Sequence, residues 1–249
     1  MIARLLSHSS AIIVTALIAL VLLQPRDVAA IDIERVKSPG GIEAWLVRDT
    51  SIPVISINFS FRGGASVDPV GREGRAEMVS GLLDEGAGDM TSQDFQRALE
   101  YIAARLRFSS STDRFRGSLR TLSVNRDEAF RLLALAVNKP RFDARPVERI
   151  RAQMIAGLRS ALQDPGTIAT RAWYGMVFPN HPYGRPNGGT IESVESIAIA
   201  DLKDFALRYF VRKDLVIGVA GDITAEELKL RLDQVFGRLP AAGAGNSVE

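Results

Sequence analysis

Cysteine is absent from the 249 residues of this chain. No disulfide can therefore stabilise the fold, although an oxidising compartment would still be tolerated. Thiolate ligands for a metal ion are excluded as well, because only cysteine supplies them.

Histidine is almost as scarce, with only two residues, His8 and His181. His8 lies in an N-terminal segment that we expect to be removed, so the mature chain would hold one histidine. Catalytic zinc usually takes three protein ligands, largely imidazole or thiolate. The composition therefore excludes a zinc site with two histidine ligands in this chain.

An excess of charge of one sign is also missing. The formal net charge is +2, and removal of Arg4, Arg26 and Asp27 with the N-terminal segment would leave +1. This balance gives no reason to expect nucleic acid or an acidic membrane as a partner. Arginines at positions 141, 145, 149, 151 and 159 are interleaved with acidic and apolar residues, which is typical of a solvated helix face.

The N-terminal segment 1–30 differs from the rest of the chain. Arg4 precedes an apolar run over 11–23, and Val28, Ala29 and Ala30 form a small-residue cleavage site. This pattern predicts a cleaved secretory signal and a periplasmic protein, with an uncleaved membrane anchor as the alternative. Cleavage after Ala30 would leave 249 − 30 = 219 residues, enough for one domain with a substantial core.

Strand signals occur in several places along the chain. Residues 33–38 and 42–48 form a hairpin-like pair, and over 55–61 Ile and Phe alternate with Ser and Asn. Leu106, Phe108 and Ser110 indicate another strand, with an antiparallel neighbour over 115–123. The apolar run 215–220 is too short for a helix and predicts a last strand.

Helical periodicity fills the intervals between the strands. Met78, Val79, Leu82 and Leu83 form a buried stripe that we expect to be stopped by Gly86 and Gly88. Other helices are predicted from Thr91, over 126–138, from Pro146 with Ile150, Met154, Leu158 and Leu162 on one face, after Asp164, over 199–210, and after the capping box at Thr224. The mixture predicts an α+β domain over 31–240, with a mainly antiparallel sheet packed against helices. Residues 241–249 are interpreted as a linker or the start of a second domain.

Several short motifs occur in a fixed order. Residues 63–69 read GGASVDP, 164–165 read DP, and 181–190 read HPYGRPNGGT. With the last strand and the helix after it, this order resembles the pitrilysin/insulinase family of zinc peptidases over 33–239. The resemblance implies a domain in which a helix bearing H-x-x-E-H packs over an antiparallel sheet.

The resemblance also shows that the zinc motif is missing. Glu77 stands where the family has its first His, Ser80 replaces the Glu, and Gly81 replaces the second His. The downstream Glu ligand would fall at 156–158, which are Ala, Gly and Leu. Loss of all four positions indicates a non-catalytic paralogue without zinc of its own. We expect Glu77, Ser80 and Gly81 to face the substrate chamber as a wall.

A peptide-binding role does not depend on zinc. In the active family members, substrate adds as a strand to an exposed sheet edge just after the second helix. That position resembles Phe108, Ser109, Ser110, Ser111 and Thr112, where backbone pairing would supply affinity for varied sequences. The alternative is a strand that is already paired or protected from pairing.

Two further groups of side chains are candidate sites. Glu77 and Asp84, with Glu85 beside the latter, could share a helix face and perform acid–base chemistry. Acidic residues on an amphipathic helix are far more often solvated, so we interpret them as surface residues. His181 precedes a proline in a loop and is interpreted as a hydrogen-bonded loop residue, since a lone imidazole does not make a zinc site.

The resemblance implies a function in a pair of chains. In some bacterial members an active H-x-x-E-H chain pairs with a paralogue lacking the motif, which closes the chamber. We expect this chain to be the first domain of such a paralogue and a piece of a longer protein. It would help to enclose and bind polypeptide for a catalytic partner that holds the zinc. The alternatives are an active zinc endopeptidase with unrecognised ligands, or a purely structural scaffold.

Overall fold

The structure is a computed structural model that describes residues 32–243. The predicted signal segment 1–30 lies outside these residues, as does the greater part of the predicted linker, 244–249. Across the described range, no helix has both the length and the apolar character needed to cross a membrane.

The centre of the domain is a six-stranded sheet in the order β1-β2-β8-β3-β7-β6. Every neighbouring pair is antiparallel except β2 and β8, which run parallel. The short strands β4 and β5 form a separate antiparallel pair. The strands are β1 (Glu34–Lys37), β2 (Glu43–Arg48), β3 (Val54–Arg62), β4 (Gly86–Ala87), β5 (Met90–Thr91), β6 (Arg105–Ser110), β7 (Arg114–Leu122) and β8 (Val216–Gly221).

Eight α-helices lie in the described chain and, with the sheet, confirm the predicted α+β class. They are α1 (Arg75–Ser80), α2 (Ser92–Tyr101), α3 (Arg126–Asn138), α4 (Ala144–Ala161), α5 (Pro165–Val177), α6 (Ile191–Ser196), α7 (Ile199–Tyr209) and α8 (Ala225–Phe236). The predicted bounds of α3 are reproduced, and the capping box at Thr224 opens α8 as expected.

One face of the sheet is buried under helices because its strands alternate apolar and polar residues. Ile55, Ile57, Phe59 and Phe61 of β3 all point to this face and are buried. The Phe61 ring stacks on that of Phe210, just after α7, with centroids 4.9 Å apart. Phe59 meets Phe236 of α8 edge to face at 5.1 Å.

Helix α1 is shorter than the sequence predicts. It ends at Ser80, not at Gly86, and the chain continues in tight turns in which Glu85 N donates to Leu82 O at 3.1 Å. The predicted apolar stripe is nevertheless buried, because Leu82 and Leu83 turn inward beyond the helix end. Packing against the core therefore does not require a long helix.

The helix pair α4–α5 departs further from its predicted pattern. Leu158 is buried, but Leu162, the residue that follows α4, is exposed. None of the residues of α5 is buried, and Ile168, Trp173, Met176 and Val177 are all exposed. An apolar surface therefore lies outside the core.

Candidate functional site

The start of α1 is held by a buried carboxylate. Asp68 accepts hydrogen bonds from the backbone N–H of Gly74 at 3.1 Å and of Ala76 at 3.2 Å, and from Arg75 Nε at 3.4 Å. Free N–H groups at a helix start favour a negative charge there. The loop residue Asp68 thus performs the role usually filled by a capping side chain.

Arg75 connects this carboxylate to α7. The Asp68 and Arg75 side chains are 0% and 3% exposed, and Arg75 also reaches Asp204 at 3.3 Å and Val67 O at 3.1 Å. Its guanidinium lies 5.3 Å from the centre of the Phe205 ring, within cation–π range. Burial raises the pKa of the Asp68 carboxyl from 3.8 to about 7, against the opposing effect of Arg75.

The loop 181–190 packs onto the segment before α1, so motifs distant in sequence meet in space. Arg185 Nη1 donates to Asp68 O at 2.8 Å, and Ser193 Oγ donates to Glu73 O at 2.8 Å. Gly189 has φ +77°, and a Cβ there would lie 2.1 Å from Glu73 O. Only glycine fits so close to the neighbouring backbone.

His181 is a loop residue, as predicted. Its Nδ1 accepts a hydrogen bond from the backbone N–H of Tyr183 at 3.2 Å. The two rings meet edge to face with centroids 4.7 Å apart. The imidazole therefore fixes the turn at Pro182.

The three positions of the missing zinc motif have different surroundings. Glu77 is exposed, and its Oε2 accepts from Ser110 Oγ of β6 at 2.8 Å. Ser80 is buried and its Oγ donates to Glu77 O, which corrects the expectation that its side chain faces a chamber. A Cβ on the half-buried Gly81 would lie 3.3 Å from Ile150 Cγ2, so α4 packs closely where the second His would stand.

A zinc ion does not fit these residues. Glu77 offers the sole carboxylate among the motif positions, and Ala156, Gly157 and Leu158 of α4 offer no ligand atom. Among residues 32–243 no group of three His, Asp or Glu side chains is arranged to hold a metal. The motif positions therefore lack the donor set that a metal-activated water requires.

Glu77 is exposed, as interpreted from the sequence, but Asp84 and Glu85 are half-buried, which corrects their interpretation as surface residues. Because α1 ends at Ser80, Asp84 lies beyond it and accepts from Gln96 Nε2 at 3.3 Å. Burial raises the pKa of Asp84. Glu85 instead accepts from Ser92 and pairs with Arg149.

Strand β6 is an edge of the sheet and carries three of the five predicted peptide-binding residues. Gly63 N donates to Asp113 O and Ser111 N donates to Arg114 O, each at 2.9 Å. In an antiparallel pair, the backbone N–H and C=O of every second residue point toward the neighbouring strand. Continuing from Ser111, the backbone groups of residues 105, 107 and 109 therefore point toward β7. Those of Leu106, Phe108 and Ser110 point to the open edge, and they form no hydrogen bond with any other described residue.

Ser111 and Thr112 lie in the turn after β6, not on the open edge. Their carbonyls already accept hydrogen bonds from Ala65 N at 2.9 Å and Ser66 N at 2.8 Å. Pairing with an added strand would break these bonds, so the available edge ends at Ser110. Leu106 joins it at the other end, a position that the sequence prediction did not include.

A cleft of about 490 Å³ opens where β6 ends, and it was not predicted from the sequence. It lies between the turn after β6, the loop 181–190 and α5, and its lining includes Thr112, Asp113, Tyr174 and Tyr183. The Tyr183 hydroxyl donates to Asp113 at 2.9 Å, and this bond raises the pKa of Tyr183. Asn187 Nδ2 also donates to Thr112 Oγ1 at 3.0 Å, so the cleft depends on contacts between segments far apart in sequence.

Together, the six-stranded sheet, the short helix over it and the open edge beside that helix define a pitrilysin-like domain without metal ligands. No protein-family model matches the chain. Among curated proteins, the chain is 28% identical over 193 residues to a non-peptidase homolog, YmxG, of Helicobacter pylori, covering 78% of this chain and 45% of that one. It is 22% identical over 206 residues to the mitochondrial-processing peptidase subunit beta of Saccharomyces cerevisiae, covering 82% and 44%.

Solved structures agree with these relatives. The inactive domain of a peptidase M16 from Pseudomonas fluorescens superposes with a TM-score of 0.81 and 27% identity, over 88% of this chain and 53% of that one. The periplasmic protease PqqL of Escherichia coli has the same fold, with a TM-score of 0.75 at 16% identity, over 87% and 25%. The chain is thus similar to pitrilysin/insulinase-like proteins of the non-catalytic kind, and its own sequence lacks the H-x-x-E-H motif. It spans about half the length of the curated relatives it matches.

Proposed function

We propose that this chain is the non-catalytic subunit of a heteromeric pitrilysin/insulinase-type zinc peptidase. In this role it binds polypeptide along β6 and helps to enclose it for a catalytic H-x-x-E-H partner. The observation that carries the proposal is the open edge of β6, which is joined to helix α1 by the hydrogen bond from Ser110 to Glu77. The strand edge that would bind substrate therefore lies beside a helix whose motif positions offer no zinc-binding histidine.

Strand addition suits the open groups of β6. Leu106, Phe108 and Ser110 each offer one N–H and one C=O to an extended chain in the plane of the sheet. Backbone pairing supplies affinity without demanding a particular sequence. A chain that continues past Ser110 would reach the cleft lined by Tyr174 and Tyr183, which offers room for a side chain.

The exposed apolar residues of α5 support a protein partner. Trp173 is 52% exposed and lies on the same helix as Ile168, Met176 and Val177, all exposed. Several exposed large apolar side chains on one helix are a candidate interaction surface in a soluble protein. We assign it to the contact with the catalytic chain, since Tyr174 of the same helix also lines the cleft.

Peptide binding is tested with two labelled peptides of identical sequence, one of them N-methylated at alternate residues. N-methylation removes donors that pair with β6 while leaving the side chains unchanged. Each lost hydrogen bond costs about 0.5–1.5 kcal/mol, so two or three predict a loss of affinity of about tenfold or more. A photoreactive version of the unmodified peptide should label 106–110. Equal affinity of the two peptides, or labelling of the other sheet edge at β1, would contradict strand addition at β6.

The partnership is tested by mixing the purified chain with H-x-x-E-H paralogues from its own organism. We expect hydrolysis of the labelled peptide only when both chains are present. Trp173→Ser should weaken the pair by about 2 kcal/mol or more, as aromatic contact residues do. Tyr101→Ser is the matched control, because Tyr101 is 91% exposed at the far end of α2. Labelled peptide that never binds, with a stable pair, would instead favour the structural scaffold.

Zinc content separates the proposal from an active peptidase. Inductively coupled plasma mass spectrometry of the purified chain should find no stoichiometric zinc, because the motif positions offer a single carboxylate. Chelator-sensitive hydrolysis by this chain alone would establish the active alternative. We also propose export to the periplasm with removal of 1–30, for which intact mass of the mature protein should place Ile31 first.

A further inference from the structure

The sheet face opposite the helices is rich in arginine. We call it the arginine face and define it by six residues from three adjacent strands. They alternate along β3, β7 and β6 with the buried apolar residues, and five of them are exposed while one is half-buried. The six are Arg62, Arg105, Arg107, Arg114, Arg116 and Arg120.

The register brings these like charges together. Arg105 lies directly opposite Arg120, and Arg62 lies directly opposite Arg114. Like charges at opposed positions destabilise a sheet, and arginine keeps its charge at any ordinary pH. Within the described part of the chain, none of the six has a carboxylate within 4.0 Å.

The same face offers few carboxylates that could neutralise these six arginines. Glu43 of β2 lies on this face, but it binds Arg35 at 2.6 Å and Lys37 at 3.5 Å. Arg114 donates to the neutral Ser60 at 3.1 Å. A concentration of uncompensated positive charge attracts anionic groups from outside the domain.

The arginine face adjoins the open edge of β6. A strand added there projects its side chains alternately onto the two faces of the sheet. The residues opposite Arg105 and Arg107 would point to the arginine face. Leu106 and Phe108 would form the backbone hydrogen bonds with the added strand. Arg105 and Arg107 would then lie in non-hydrogen-bonded pairs, in which the side chains on the two strands approach most closely.

We propose that the polypeptide bound at β6 is acidic, with carboxylates at alternate positions that pair with the arginine face. This inference rests on the proposed function, since it specifies the substrate class of the same edge. An acidic polypeptide is favoured because its charge is complementary to this face. Arg105 and Arg107 on the edge strand would contact the added chain directly, and the arginines of β7 and β3 would add to the positive potential behind them.

The test uses fluorescent peptides of about nine residues, a usual strand length, that alternate Thr with Glu, Gln or Lys. Exposed ion pairs contribute about 0.2–1 kcal/mol each, so two or three predict that the Glu peptide binds about tenfold more tightly than the Gln peptide. The Lys peptide should bind more weakly than both. Added salt should reduce the advantage of Glu, because exposed charges are screened.

Variants identify the arginines responsible. R105Q/R107Q should lower affinity for the Glu peptide about tenfold and so remove its advantage over the Gln peptide. R145Q/R159Q on α4 is the matched control. It removes the same charge at exposed arginines that pair with no carboxylate in the described range. Equal effects of the two double variants would overturn the assignment to the arginine face.

The outcomes separate this inference from the proposed function. If the Glu and Gln peptides bind equally well and both are weakened by alternate N-methylation, strand addition stands and the acidic preference is overturned. If no peptide binds, the proposed function itself fails. If phosphatidylglycerol vesicles bind in an Arg105- and Arg107-dependent way while the Glu peptide does not bind, the face serves a lipid surface and the acidic-polypeptide proposal is overturned.

Discussion

Replacement of Arg75 by alanine should be among the most damaging changes outside the apolar core. Arg75 is 3% exposed and contacts Asp68, Asp204, Val67 O and the Phe205 ring. Its removal leaves Asp68 buried with only backbone donors. Breaking a buried pair on one side costs about 3–5 kcal/mol, a large part of the roughly 5–15 kcal/mol that stabilises a typical domain.

The assay is urea unfolding at pH 8, followed by circular dichroism and tryptophan fluorescence. Arg208→Ala is the matched control, because Arg208 pairs with the same Asp204 at 2.6 Å but is exposed. That exposed pair should contribute less than about 1 kcal/mol. At pH 5 the cost of Arg75→Ala should shrink, because Asp68, with a pKa of about 7, is then neutral. Equal losses for the two variants at pH 8 would refute the assignment of stability to the buried pair.

The remaining predictions concern titration and packing. Because the pKa of Asp68 rises on folding from 3.8 to about 7, its protonated form stabilises the fold below pH 4. That contribution is lost as the pH rises to 7, so unfolding free energy measured relative to Asp68→Asn should fall by up to about 4 kcal/mol over this window. A flat difference between pH 4 and pH 7 would contradict it. Gly117→Ala should cost about 1–3 kcal/mol by thermal melting, since overpacking forces neighbours to move and its Cβ would lie 2.2 Å from Phe59 Cζ. Gly218→Ala, with nothing within 4 Å, is the control and should change little.

Local patterns predicted the local structure well. The alternation over 55–61 identified β3 and its buried face, and Thr224 with Glu227 identified the start of α8. Both signals involve residues close in sequence, whose geometry follows from backbone hydrogen bonding and side-chain period. The resemblance added the overall architecture, which periodicity alone does not give.

Features that depend on distant contacts were not predicted. The end of α1 at Ser80 is not marked by the glycines at 86 and 88, because the chain turns before reaching them. The nearly balanced overall charge gave no indication of the arginine face. Arg62 and Arg105 are far apart in sequence, and only strand register places them on one surface. A net charge near zero therefore says little about how charge is divided between two faces of a sheet.

The placement of β8 has a consequence for the order in which the polypeptide acquires its structure. Only residues 49–53 separate β2 from β3 in sequence, yet β8 lies between them in the sheet. During synthesis, the β1–β2 hairpin therefore has no adjacent strand of the sheet to pair with until residues 216–221 have been made. Up to that point the β3 side facing β8 is also unpaired, and such edges invite association with other chains. Closing so long a loop is slow, so the domain should fold late and benefit from protection until its final strand is made.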